Sequence, residues 1–123
     1  QEKVKSLELL TPVKTFVFDD INFDTGDFAS QSEEFEQFDE LLLYLKNNPA
    51  KTVLVEGHTD DVGAAKDNLI LSNERALFVQ SFFISKQIVN KIYAKGYGET
   101  LPVKPNDSKE NRRKNRRVVV KVF

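Results

Sequence analysis

The sequence predicts an α+β fold, a two-layer sandwich with elements in the order β-α-β-α-β-β and two helices packed on one face of a mixed four-stranded sheet. Three observations lead there. Two long segments carry apolar residues at helical spacing, four short ones are rich in β-branched or aromatic residues, and turn-forming clusters separate them.

The first strand is expected over Thr15 to Phe18, where β-branched and aromatic residues alternate; Ile21 and Phe23 continue the apolar set before a turn at Asp24-Thr25-Gly26. Ser30 followed by Glu33 has the spacing of a capping box. Phe35, Phe38, Leu41, Leu42 and Leu45 then recur at helical intervals until Asn47-Asn48-Pro49 ends the pattern. Phenylalanine has no polar handle and the opposite face is charged, so this stripe reads as core rather than as a ligand box. Lys51 to Glu56 holds the unbroken run Val53-Leu54-Val55, the mark of a strand covered on both faces. A second helix is expected from Ala65 to about Lys86, burying Leu71, Ala76, Val79 and Phe83. Lys91 to Ala94 and Val118 to Phe123 supply the last two strands. Between them Gly98 to Lys114, with Pro102 and Pro105, reads as one long loop of the kind that is usually functional.

With 123 residues, 40% of them hydrophobic, the chain suits a single core. Residues 15–123 are assigned to that domain, and residues 1–14, polar and without an evident pattern, to a linker or N-terminal extension. Eighteen basic against nineteen acidic residues argue against a dedicated nucleic-acid protein. The absence of cysteine excludes disulfides and thiolate metal sites but leaves the compartment open. No run approaches the roughly 20 apolar residues of a membrane helix, so membrane attachment is expected only through an N-terminal part outside this chain.

The acidic turn Gly57-His58-Thr59-Asp60 is followed by Asn68, Leu71, Ser72 and Arg75, which share one helix face, so Asn68 and Arg75 are expected to look back toward Asp60. A carboxylate and a planar guanidinium held apart suit a ligand with its own ammonium and carboxylate, a free amino-acid end. The alternative is an Asp60 to Arg75 salt bridge serving stability alone. Lys109 to Arg117 contains six basic residues in nine but no aromatic residue on which a base could stack. His58, the single histidine, lies beside Glu56, Asp60 and Asp61, yet a catalytic zinc needs three protein ligands and an open position. Ser72 sits mid-helix without a nucleophile elbow. No catalytic residue, metal or cofactor is therefore expected.

Taken together, Val55-Glu56-Gly57-His58-Thr59-Asp60, Gly63, Asn68, Leu71-Ser72, Arg75-Ala76, Gly96-Tyr97-Gly98-Glu99, Pro102, Asn106 and Asn115-Arg116-Arg117-Val118 resemble the outer membrane protein A C-terminal domain family. The likeness runs from about Phe16 to Phe123. It implies a non-catalytic module at the periplasmic face of the outer membrane that grips peptidoglycan non-covalently, through the diaminopimelate side chain of the stem peptide, and tethers an envelope protein to the cell wall. By the same resemblance Asp60 takes the ligand's ammonium and Arg75 its carboxylate, with Asn68, Arg116 and Thr59 completing the site and Arg112 structural; a homo-oligomer is allowed. Gln87 departs from the family, where glycine is frequent, at a cost of about 1 kcal/mol for a left-handed cap. Asn111 and Arg113 depart where glycine and alanine are typical. The rival readings are a nucleic-acid or protein-docking module using the basic 109–117 segment, and a metal-dependent hydrolase.

Overall fold

The computed structural model describes residues 2–19 and 36–123. Ile21, Phe23, the turn at Asp24-Thr25-Gly26, the Ser30/Glu33 capping box and Phe35 lie outside the described residues. Four strands, β1 (Lys14–Asp19), β2 (Val53–His58), β3 (Ile92–Gly96) and β4 (Arg117–Val122), form one sheet in the order β1-β4-β2-β3. The sheet is mixed, as expected: β4 runs antiparallel to both β1 and β2, while β2 and β3 are parallel.

Helices α2 (Asp39–Asn47), entered through a short 3-10 turn at Glu36–Phe38, and α3 (Ala65–Ser85) cover one face. Their apolar stripes meet Val53 and Val55 of β2 and Val118, Val120 and Val122 of β4. Phe38 is the hub: fully buried, its ring centre lies 4.3 Å from that of Phe18 and 5.5 Å from that of Phe83. Burying such a ring stabilises by about 1.5–3 kcal/mol.

Leu54 points to the other face and is also buried, which is why the Val53-Leu54-Val55 run is unbroken. Its cover is α1 (Glu2–Glu8), whose Val4 and Leu7 pack on Leu54 with Tyr93 and Phe123. Residues 1–14 thus carry more pattern than the sequence reading recognised. Val4 and Leu7 stand three apart on one helix face, and a seven-residue helix persists in water only when docked.

Two further expectations are corrected. Leu71 is not buried but 37% exposed, because α3 turns Asn68, Ser72, Ala76, Val79 and Phe83 to the protein. The 98–114 segment is not one loop either. Its end forms α4 (Lys109–Asn115), started by Ser108, whose hydroxyl accepts from the Asn111 amide at 3.0 Å.

Glycine sets the height of α3 above the sheet. A Cβ on Gly57 would lie 2.1 Å from the Ser72 carbonyl oxygen, and one on Gly96 2.3 Å from the Asn73 nitrogen. In the space they leave, Ser72 Oγ accepts from the Gly98 amide at 2.8 Å and Asn73 Oδ1 from the Gly96 amide at 2.6 Å. The start of α3 is thereby fastened over the carboxyl ends of β2 and β3. At its far end Gln87 adopts φ 64°, with Gln87 N–H bonded to the Ile84 carbonyl and Ile88 N–H to the Phe83 carbonyl, a Schellman cap closed by buried Ile88. No helix among the described residues is long and apolar enough to cross a membrane.

Candidate functional site

The β2–β3 pairing continues one step past the strands, Tyr97 N–H bonding the Gly57 carbonyl and Thr59 N–H the Gly98 carbonyl, both at 2.9 Å. There the chain turns at Asp60. Its Oδ1 accepts from the Val62 amide at 3.0 Å, a turn of the kind aspartate makes with its own backbone, and its Oδ2 accepts from Arg116 Nη1 at 2.9 Å. The Asp60 side chain is 12% exposed and that of Arg116 31%, so the pair lies partly open to solvent, with the anion deeper than the cation.

Thr59 Oγ1 donates to the Asp60 carbonyl at 2.8 Å, which braces the turn from within. Asn68, on the first turn of α3, directs Nδ2 at the Asp60 carbonyl (3.3 Å), the Val62 carbonyl (3.1 Å) and Glu99 Oε1 (2.9 Å). One amide has two hydrogens, and here three acceptors share them. Sequence reasoning gives Glu99 no role; its place in the Gly96-Tyr97-Gly98-Glu99 motif was the available signal.

Of the residues expected at the site, Asp60, Thr59, Asn68 and Arg116 come together. Arg75 stands half-buried on α3, two turns beyond Asn68, and Arg116 Nη1 reaches the Asp60 carboxylate. A second, more exposed pair runs alongside, Arg112 Nε to Asp61 Oδ1 at 3.4 Å, while Arg112 Nη2 donates to the Asn106 carbonyl at 2.9 Å. Both arginines depend on Asn115. This fully buried side chain accepts from the amides of Val103 and Lys104 and donates to the Lys104 carbonyl and Asn106 Oδ1, all within 3.1 Å, and so ties the 103–106 segment to α4.

Behind the turn the sheet's other face holds a buried polar chain. His58 Nε2 lies 3.0 Å from Glu56 Oε1, and Lys121 Nζ donates to Glu56 Oε2 at 2.8 Å. Burial alone would raise the Glu56 carboxyl, but the bonds from His58 and Lys121 outweigh it and hold the group below its ordinary value. Tyr97 stacks on His58 with ring centres 5.4 Å apart and donates to the Glu8 carboxylate of α1; burial first, and that bond second, push its hydroxyl up. His58 is thus a packing residue inside β2. Among the described residues no group of three or more His, Cys, Asp or Glu side chains could hold a metal.

A pair of opposite charges carried on separate segments and opening to solvent can exchange its mutual bond for bonds to a guest with both charges. Known proteins bear on the assignment. The profile of the OmpA family matches residues 22–116. Outer membrane porin F of Pseudomonas aeruginosa is 34% identical over 105 residues, covering 84% of this chain and 30% of the porin. The peptidoglycan-associated lipoprotein of Buchnera aphidicola is 29% identical over 131 residues, covering 98% of this chain and 76% of the lipoprotein. The crystal structure of the peptidoglycan-associated lipoprotein from Burkholderia pseudomallei shares the fold, with a TM-score of 0.72 over 89% of this chain and 90% of that one at 23% identity. This chain therefore spans under a third of the porin but most of the lipoproteins. From the family profile and the aligned relatives together, the chain belongs to the OmpA family.

Proposed function

We propose that the chain binds peptidoglycan without covalent chemistry, through the free ammonium and carboxylate of diaminopimelate in the stem peptide, and holds an outer-membrane or periplasmic envelope protein to the cell wall. The observation that carries this reading is the Asp60–Arg116 pair, 2.9 Å long and open on one side. A guest ammonium replaces Arg116 on Asp60, and the released guanidinium takes the guest carboxylate in its planar fork. Arg75 completes the carboxylate side, while Asn68 and Thr59 keep the turn in shape. Relatives named as outer membrane porin and peptidoglycan-associated lipoprotein support the wall and the compartment. Residues 15–123 form the binding unit, and residues 1–14, α1 included, join it to the remainder of the parent protein.

The basic 109–117 segment favours no nucleic-acid reading, because Arg112, Lys114 and Arg116 are ion-paired to Asp61, Asp19 and Asp60 and Arg117 is turned to carbonyls. Titration with stem peptides of the diaminopimelate and lysine types tests the proposal. The lysine type has the ammonium but lacks the adjacent carboxylate, so it is expected to bind more weakly. Equal affinity for the two would overturn recognition of the zwitterion.

A further inference from the structure

Among the described residues, the sheet face opposite α2 and α3 is only half covered. Beside α1 a groove of about 300 Å³ remains over β1 and β4, at the lower end of the size of ligand sites. Its floor is apolar, with Val17 and Val119 side by side on neighbouring strands, and Val103 stands at its wall; Val17 and Val103 are each 56% exposed. Four cations surround it, Lys104, Lys114, Arg117 and Lys121, against two carboxylates, Asp19 and Glu56. Both carboxylates are already engaged, Asp19 by Lys114 at 3.6 Å and Glu56 by Lys121 at 2.8 Å. Arg117 is 8% exposed and directs its guanidinium to the carbonyls of Asn115 and Leu101. The groove keeps two cations in excess.

Along β4 the residues on this face read Arg117, Val119, Lys121, a cation, an apolar side chain and a cation at two-residue steps of about 7 Å. An extended strand has the same repeat. We infer that this groove is a docking site for an extended acidic peptide of a partner protein, with carboxylates two residues to either side of an apolar residue. The apolar residue covers Val17 and Val119, and the carboxylates meet Lys104 and Lys114, the exposed lysines beside buried Arg117, at one end and Lys121 at the other. A phosphate backbone has nothing to offer the apolar floor, and the concave face is ill suited to a flat lipid surface. The site lies away from the Asp60 turn and uses none of its residues.

The test titrates a capped peptide with the pattern Glu-Ser-Val-Ser-Glu into the isotope-labelled 123-residue protein at low salt and follows backbone amide resonances. Shifts are expected at Val17, Val103 and Val119, with Thr59 to Asp61 unmoved. The Lys104→Glu/Lys114→Glu double variant, both changes being at the surface, should weaken the peptide about tenfold while retention on cell-wall sacculi stays at the wild-type level. That separates the two faces, since failure of wall binding leaves the peptide result unaffected and the reverse holds too. The inference is overturned if no shift appears at those valines, if a glutamine version of the peptide binds equally well, or if anionic vesicles or an oligonucleotide displace the peptide at lower concentration.

Discussion

Asp60 has a position that short-range chemistry dictates and a partner that it does not. The turn bond to Val62 spans two residues and the Asn68 contact follows from helix periodicity, so Asp60 and Asn68 were legible from the chain alone, whereas Thr59, whose hydroxyl bonds the neighbouring Asp60 carbonyl, was named only by the family likeness. Which arginine arrives on the carboxylate was not. Arg116 lies 56 residues away, and only the packing of α4 and β4 brings it in; helical spacing pointed to Arg75, and the family likeness named both arginines for the ligand's carboxylate rather than for Asp60. Because charge-assisted bonds contribute about 1.5–3 kcal/mol each, Asp60→Ala should cut retention on purified sacculi about ten- to hundredfold with an unchanged circular dichroism spectrum. Arg116→Lys should lose most of the same binding, since an ammonium cannot reproduce the planar fork. Gln87 is the opposite case, a local cost read correctly from the sequence: it stands in left-handed backbone at φ 64°. Gln87→Gly should stabilise the fold by about 1 kcal/mol, raising Tm by about 4 °C in a calorimetric scan without altering wall binding.

Among the elements, those whose apolar pattern is long or continuous were legible, and those that depend on one cap or one contact were not. β2 showed itself as buried on both sides because Val53 and Val55 face one core and Leu54 another. α4 was missed since its residues are almost all charged and nothing apolar marks a buried face; only the Ser108 cap announces it. Ser108→Ala should cost about 1 kcal/mol and loosen the helix that presents Arg112 and Arg116, so sacculus affinity should fall along with stability. Leu71 was misplaced because periodicity gives a face but not its rotation, which here is fixed by Ser72 lying against Gly57 and Gly96. Gly57→Ala should be the most damaging of these changes. Its methyl group has backbone 2.1 Å away, so α3 must lift, and both thermal midpoint and ligand affinity should drop.

For the whole molecule, the α+β class followed from element order, but the strand sequence β1-β4-β2-β3 is a matter of long-range pairing that no local pattern encodes. The docking of α1 likewise becomes visible only when Leu54 is seen to need a cover. The same sheet face carries the buried Glu56, whose carboxyl is held below the ordinary value of 4.5 by His58 and Lys121 despite burial. A depressed carboxyl contributes stability that is fully present above its unfolded-state value and is lost as pH falls through the folded one. Tm should therefore decline in acid below about pH 4.5, and Glu56→Gln should flatten that decline; an identical acid limb in the variant would assign it to other groups.

Arg116 and Arg117 are consecutive, yet one reaches the Asp60 carboxylate and the other the Leu101 carbonyl over the groove on the reverse of the sheet. Successive side chains at the entry to a strand point to opposite sides, so the dipeptide divides its charge between two surfaces by parity alone. Such an arrangement tolerates changes of side-chain size far better than a change of count. Inserting a single residue between Arg117 and Val118 would turn each guanidinium to the other's side and disable front and back together, a lesion that no compensating substitution at either surface could repair.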